Sequence, residues 1–338
     1  MFSKSIIGFS VLAAISASIL LSTAQAANAH TTASPTRSST TTTTTTVNWN
    51  EPFYADPQGP AAGVFATQPT NTVAGTLSRI PQARWFTPDN TVATIRTAVA
   101  TYVAGAAATH TLPVLVTYAI PGRDCGSFSA GGLPDTTSYQ AWIAQVHAGL
   151  GATPAVVIVE PDALAQATDC LTPTQQTDRY AMLSYAAQTL SAGGTTMVYL
   201  DGGHSHWLTT TELARRLTLA GIQYARGFSL NISNFYTTTD QQTYGEQVSA
   251  LLGGSHYVVD VSRNGQGPAP AGPLNWCNPT TAGLGQLPTQ QTTAPHNDAD
   301  LWIKNPGQSD GNCATGQPTS GSWYQNSATT MYQLRAGW

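Results

Sequence analysis

Lysine is almost missing: the 338 residues contain it only at Lys4 and Lys304. Charge of either sign is scarce, with Asp, Glu, Lys and Arg together at 9% and a formal net charge of -4. A chain so poor in cations has no basic face for nucleic acid or an anionic membrane, and neither is expected as a partner. Several motifs are also missing. No cysteine pair has CxxC spacing, no P-loop occurs, no GxGxxG follows a strand-like run, and there is no HExxH. These absences argue against zinc, nucleotide and nicotinamide chemistry, so no cofactor or metal is expected. His204 and His206 form the nearest thing to a ligand pair, but no acidic cluster accompanies them. The stretch from Gly203 to Trp207 ends in a bulky indole where a nucleophile elbow needs glycine, which disfavours a serine hydrolase. What remains is a hydroxyl- and amide-rich surface of Thr, Ser, Asn, Gln and Gly, compatible with a neutral substrate.

The N-terminal residues read as an address. Lys4 precedes an apolar stretch from Ile6 to Leu21, and small residues follow at Ala24, Ala26, Ala27 and Ala29. Residues 1–29 are therefore expected to be a secretory signal peptide and the protein to be extracellular. Residues 30–46, dominated by Ser and Thr, cannot bury apolar surface and are expected to form a disordered linker. One catalytic domain is expected over 47–338, acting as a monomer. The four cysteines, Cys125, Cys170, Cys277 and Cys313, suit two disulfides in a secreted chain. Of three pairings, the sequential one closes two moderate loops and is preferred.

Short β-rich runs at 112–120, 155–161, 196–201, 227–234, 256–263 and 301–304 alternate with helix-like segments at 91–108, 137–150, 172–191, 209–220 and 239–252. Threonines stand near the helix starts as candidate caps, and Thr172 is followed by Pro173, a favoured first helical residue. Alternation over a whole domain predicts parallel strands with crossover helices. A closed or nearly closed α/β barrel is the first expectation and a doubly wound open sheet the second. The strands end in TYAIPGRD, EPD, LDGGHSHW, NISN, DVSRNGQG and IKNPGQSDG. A single acid there would be a capping residue, but six such endings point to the C-terminal rim, where barrels keep their active sites.

Asp124, Glu160, Asp162, Asp201, Asp260 and Asp310 all fall on or near that rim. Glycoside hydrolysis needs one carboxyl kept protonated and a second group that activates water or attacks the sugar. Crowded carboxylates raise one another, which keeps an Asp protonated near neutral pH. Tyr118, Trp207, Trp276 and Trp302 offer flat faces for pyranose rings, although Trp302, inside its strand, is equally suited to the core. Asn231-Ile232-Ser233 is a formal N-glycosylation site, but its place at a strand end speaks against occupancy.

VTYAIPGRDCGSFSAGG (116–132) and VVIVEPDALA (156–165) closely resemble the signature motifs of glycoside hydrolase family 6, the cellulase family. YLDGGHSHW, DVSRNGQGP, NWCNP and LWIKNPGQSDG resemble its later blocks, in order. The resemblance runs from about residue 52 to the C-terminus. It implies a distorted, incomplete parallel (β/α) barrel of the TIM-like kind, with the active site at the C-terminal ends of the strands, and inverting hydrolysis of β-1,4-glucan. It implies that Asp162 is the general acid, and that Asp124 keeps it protonated and orders the water. Tyr118 would crowd the sugar at the cleavage point. The base is left open between Asp310 and a water chain toward Asp124. Asp201, His204, Asn234, Arg263 and Lys304 fall at sugar-binding or site-organising positions, and Trp85, Trp207 and Trp276 at stacking platforms. The cysteines match two family disulfides with the sequential pairing.

Two positions depart from the pattern. Gln308 stands where the family has glutamate two residues before Asp310, which is expected to weaken pairing with Lys304 and alter sugar affinity or pH profile. Ala130 replaces a serine that touches the catalytic water in some relatives, a contact that Ser129 could take over. Both Cys-to-Cys segments are short by the family's standard, favouring an open cleft and internal cleavage, hence an endoglucanase. The alternatives are an exo-acting cellobiohydrolase and a non-catalytic glucan-binding protein.

Overall fold

The computed structural model describes residues 51–337. The expected signal peptide and linker, and residues 47–50 and 338 of the expected catalytic domain, lie outside the described residues.

Among the described residues seven parallel strands lie side by side in chain order: β1 (Arg84–Phe86), β2 (Val114–Thr117), β3 (Ala155–Val159), β4 (Thr196–Asp201), β5 (Gly227–Leu230), β6 (His256–Asp260) and β7 (Asn297–Leu301). That unbroken order is a barrel's and excludes the doubly wound sheet, in which the strand order reverses. Closure is partial. No strand pairing joins β7 to β1, but Ala83 N–H donates to Trp302 O at 2.9 Å, Trp85 Nε1 to Ile303 O at 2.8 Å and Asn305 Nδ2 to Ala83 O at 3.0 Å. The result is the incomplete, distorted α/β barrel that was expected.

Strand alternation divides the apolar residues between two cores. Val114, Val116, Val156, Ile158, Met197, Tyr199 and Val258 point into the barrel. Leu115, Val157, Val159, Val198, Leu200 and Val259 point outward against the helices. Burial on both faces explains why β3 reads AVVIV without a polar residue. Each such aliphatic side chain contributes about 1.5–3 kcal/mol.

The outer layer comprises α1 (Pro60–Thr67), α2 (Thr72–Leu77), α3 (Ile95–Ala108), α4 (Thr136–Leu150), α5 (Ala167–Cys170), α6 (Pro173–Ser191), α7 (Thr210–Leu219), α8 (Thr238–Leu251) and α9 (Gln325–Gln333). Thr172 caps α6 in a capping box with Gln175, and Thr209 and Thr237 cap α7 and α8. Elsewhere the threonine expectation fails: Asp135 caps α4, and Thr94 makes no side-chain cap on α3. The last strand is also displaced, covering Asn297–Leu301 rather than 301–304. Its polar sequence NDADL hid it. Asp298 takes the Tyr199 hydroxyl at 2.6 Å, and Asp300 takes Asn297 Nδ2 at 2.8 Å, so both acids have partners inside the fold. Trp302 is core: it is buried, and its Nε1 donates to Gln286 O at 2.7 Å.

Candidate active site

The polar strand ends converge on one groove of about 1120 Å³ at the C-terminal rim. Eleven of the thirteen non-cysteine candidates line it: Tyr118, Asp124 and Asp162 on one side of the sequence order, Lys304, Gln308 and Asp310 at the end of it, and Trp85, His204, Trp207, Asn234 and Trp276 around them. The other two, Asp201 and Arg263, do not reach the groove. Both are buried behind its wall, which corrects their expected place among sugar-binding positions and leaves the site-organising role.

Asp162 follows β3 in a left-handed backbone conformation (φ 69°), as does Glu160 (φ 52°). Such geometry costs non-glycine residues about 1–3 kcal/mol and persists only where neighbours hold it. Asp201, at the end of β4, does this by accepting Asp162 N–H at 2.8 Å; it also takes Gly203 N–H and the Ser229 hydroxyl, each at 3.2 Å. Burial, then the charges of Asp201 and Asp124, raise the Asp162 carboxyl well above the usual carboxylate range, while Lys304 pulls the other way. Burial also pushes Asp201 up to about 7, against the hydrogen bonds it accepts. A proton is thus held in this pair under conditions where an ordinary aspartate has lost it.

Asp124 opens the loop closed by Cys125 and Cys170, one of two disulfides; the other joins Cys277 and Cys313, giving the sequential pairing. Its carboxylate accepts Ser129 N–H at 2.6 Å and Gln166 Nε2 at 3.3 Å. Arg123 ties the same loop to β2, donating to Tyr118 O at 2.6 Å and Ser129 O at 2.8 Å, with its guanidinium 4.5 Å from the Tyr118 ring centre. The loop returns through Gly132, where an added Cβ would lie 1.9 Å from Ile120 O, so only glycine fits. Burial first, then Asp162 and Asp124, raise the Tyr118 hydroxyl, which stays a neutral donor. Trp85 meets Tyr118 edge-on at 5.2 Å.

Asp310 sits in the opposite environment. Arg263 Nη1 donates to both of its oxygens at 2.8 and 2.9 Å, Asn278 N–H reaches it at 3.0 Å, and Lys304 Nζ lies 3.7 Å away. Arg263 also donates to Ser233 O and stacks 4.4 Å from the Phe235 ring. Burial lowers the Lys304 amine from its ordinary value, and Asp310 works against that fall. The lone lysine of the described residues therefore lies inside the fold, at the groove, rather than on the solvated surface.

Two of the rim acids are structural. Glu160 is fully buried and accepts Ala119 N–H at 2.9 Å and Ile120 N–H at 3.0 Å, bracing the end of β2 that carries Tyr118. Asp260 accepts four backbone N–H groups, from Ser233, Ser262, Ile303 and Lys304, and so ties the ends of β5, β6 and β7 together. Asn231 is buried and donates to Tyr236 O and Asp260 O, so the formal glycosylation site has no free amide. At the aromatic wall His204 stacks on Tyr236 at 4.5 Å and lies 5.3 Å from Trp207; burial, then His206, lowers it to about 4, so it is neutral.

Sequence reasoning missed β1 and stretches of the groove wall, among them residues 87–90 and 319–322. The segment at 319–322 returns to the groove and meets the Asp124 loop, Ser320 Oγ lying 2.6 Å from Ser129 Oγ. Gln308 holds that segment, donating from Nε2 to Gly321 O at 2.9 Å. No hydrogen bond links Gln308 to Lys304 among the described residues, so the expected weakened pairing is replaced by a contact that glutamate, lacking a donor, could not make. No motif signals Ser320, which gains its role through the fold alone.

Fold and site together define an incomplete α/β barrel whose rim carries a protonated aspartate, fixed carboxylates and an aromatic-walled groove. A match to Glycosyl hydrolases family 6 runs over residues 43–334, and the chain belongs to that family. It is 42% identical to Endoglucanase A of Cellulomonas fimi over 82% of this chain, and 39% identical to Endoglucanase 1 of Streptomyces halstedii over 82% of this chain and 88% of that one. It spans 60% of the length of the Cellulomonas protein. Among solved structures, the endoglucanase Cel6 from Mycobacterium tuberculosis, in complex with methyl-cellobiosyl-4-deoxy-4-thio-β-D-cellobioside, superposes with a TM-score of 0.81 at 47% identity, covering 84% of this chain and 97% of that one.

Proposed function

We propose that the protein is a secreted, monomeric endo-β-1,4-glucanase that cleaves internal bonds of cellulose and related β-glucans with inversion. The observation that carries this reading is Asp162, a carboxyl facing the groove and held protonated by burial and by Asp201 and Asp124. It donates its proton to the glycosidic oxygen as the bond to the leaving sugar breaks. A water on the opposite face of the ring attacks the anomeric carbon, as inversion requires. Its proton leaves toward Asp124, whose loop is pinned by Arg123 and Ser129. Asp310 is the poorer acceptor, since both of its oxygens already receive Arg263. Tyr118 and Trp85 crowd the ring at the cleavage point, and Trp207 and Trp276 offer stacking faces. Internal cleavage is supported by the short disulfide-closed segments and by the endoglucanase relatives.

The test follows the viscosity of carboxymethyl cellulose and the appearance of reducing ends together, in the wild type and in Asp162→Asn. A steep viscosity drop at few new ends, abolished in the variant, is expected. Slow viscosity loss with released cellobiose would favour exo action, and no activity in either protein would favour a glucan-binding role.

A further inference from the structure

Beside the main groove lies a second cavity of about 250 Å³, where roughly 10–15 Å³ would admit one water molecule. The two share Trp85 and Gln308 in their walls. We infer that this cavity is an additional subsite, which takes one more glucosyl unit of a chain already lying in the groove; the inference rests on the glucanase reading above.

The chemistry of the wall fits a neutral pyranose. Arg84 and Asp56 form an ion pair at 2.7 Å, so the pocket holds no net charge from them. That bond uses one guanidinium donor, and the guanidinium, which also lies 5.8 Å from the Tyr102 ring, makes no other hydrogen bond among the described residues. Asn305 is 3% exposed; its Nδ2 holds Ala83 O, while its Oδ1 has no partner among the described residues. The Gln82 side chain likewise donates to Leu77 O and Ile80 O and leaves its oxygen unengaged among the described residues. The Gln308 amide, anchored on Gly321, also presents a free oxygen. Donors and acceptors of this kind match sugar hydroxyls, and the first turn of α1 with Ile80 supplies apolar surface for the C–H face of a ring. Trp85 is fixed between the two cavities by its bond to Ile303 O, so a chain passing over it meets a rigid plate.

The experiment measures binding of cello-oligosaccharides of increasing length to Asp162→Asn, which removes turnover. It is repeated with Ala62→Leu, which fills the pocket, and with Gln82→Ala, which removes an acceptor, each added to that background. One step of the length series should tighten binding about tenfold, equivalent to ~1.4 kcal/mol, and that step should vanish in Ala62→Leu and shrink several-fold in Gln82→Ala. Should Ala62→Leu fail to fold, Gln82→Ala decides alone. An identical length series in all three proteins overturns the subsite while leaving the glucanase reading intact. Absence of binding at every length in the parent variant overturns both.

Discussion

Asp162 and Asp310 face the same groove with opposite backing. Behind Asp162 is a second carboxylate, Asp201, bonded to its backbone; behind Asp310 is a buried guanidinium, Arg263, bonded to both oxygens. The first is thereby made to keep its proton, while the second is gripped at both oxygens by a fixed cation. Residue type does not separate them, since each is an aspartate in a loop beyond the C-terminal end of a strand, β3 for Asp162 and β7 for Asp310. What lies one layer deeper does.

The largest effect should come from removing the acid. Asp162→Asn should lower the rate of reducing-end release from carboxymethyl cellulose by about 10²–10⁴-fold, the usual worth of a general acid. The same change should stabilise the protein in mild alkali. Folding raises this carboxyl, and a group raised by folding adds stability below its unfolded value and loses it as pH rises through the folded one. Above that window the native state carries an unfavourable buried charge, which the amide lacks. Thermal melts at pH 8 should show the inactive variant melting higher, whereas an equal or lower melting temperature would deny the strain on Asp162.

On the compensated side, Arg263→Met should leave Asp310 buried with Lys304, 3.7 Å away, as its one remaining cation. Breaking a buried pair from one end costs about 3–5 kcal/mol, readable in urea unfolding. Adding Asp310→Asn should return part of that loss, because the stranded charge is gone. If the double variant is no more stable than the single one, the ion pair is not what Arg263 contributes.

The backing of Asp162 can be neutralised separately. Asp201→Asn removes a negative neighbour, so the Asp162 carboxyl should fall toward ordinary values. Activity requires that carboxyl protonated, so the alkaline limb of kcat/KM should move to lower pH by about one unit, equivalent to ~1.4 kcal/mol. A limb that stays in place would assign the raised proton affinity to burial and Asp124 without Asp201.

This difference in backing also marks how much could be read in advance. The barrel was legible because parallel strands buried on both faces must be continuously apolar, as in Val156 to Val159. β1 was not, since three residues, Arg84 to Phe86, carry no periodicity. β7 was displaced because Asp298 and Asp300 find partners only once distant residues have folded around them. The rim acids could be named together from their strand-end positions, but not sorted. Glu160 and Asp260 proved to hold backbone, Asp201 and Arg263 to stand behind the wall, and each assignment depends on a three-dimensional neighbour.

Gln308 shows the same limit at its smallest scale, and it links the two sides. Compared with the family pattern it looked like a lost charge; in the fold it is a gained donor, holding Gly321 and through that segment Ser320 against Ser129, whose N–H binds Asp124. Gln308→Glu would set a carboxylate against the Gly321 carbonyl oxygen and lose a bond worth about 1 kcal/mol. The expected result is a several-fold fall in kcat, with faster hydrogen exchange at the amides of Ser309 and Gly321, which close the same turn. Gln308→Met, which also lacks the donor but adds no charge, should loosen the segment less. Were exchange unchanged in both variants while sugar affinity alone shifted, Gln308 would act on the substrate directly and the strut toward Asp124 would be absent.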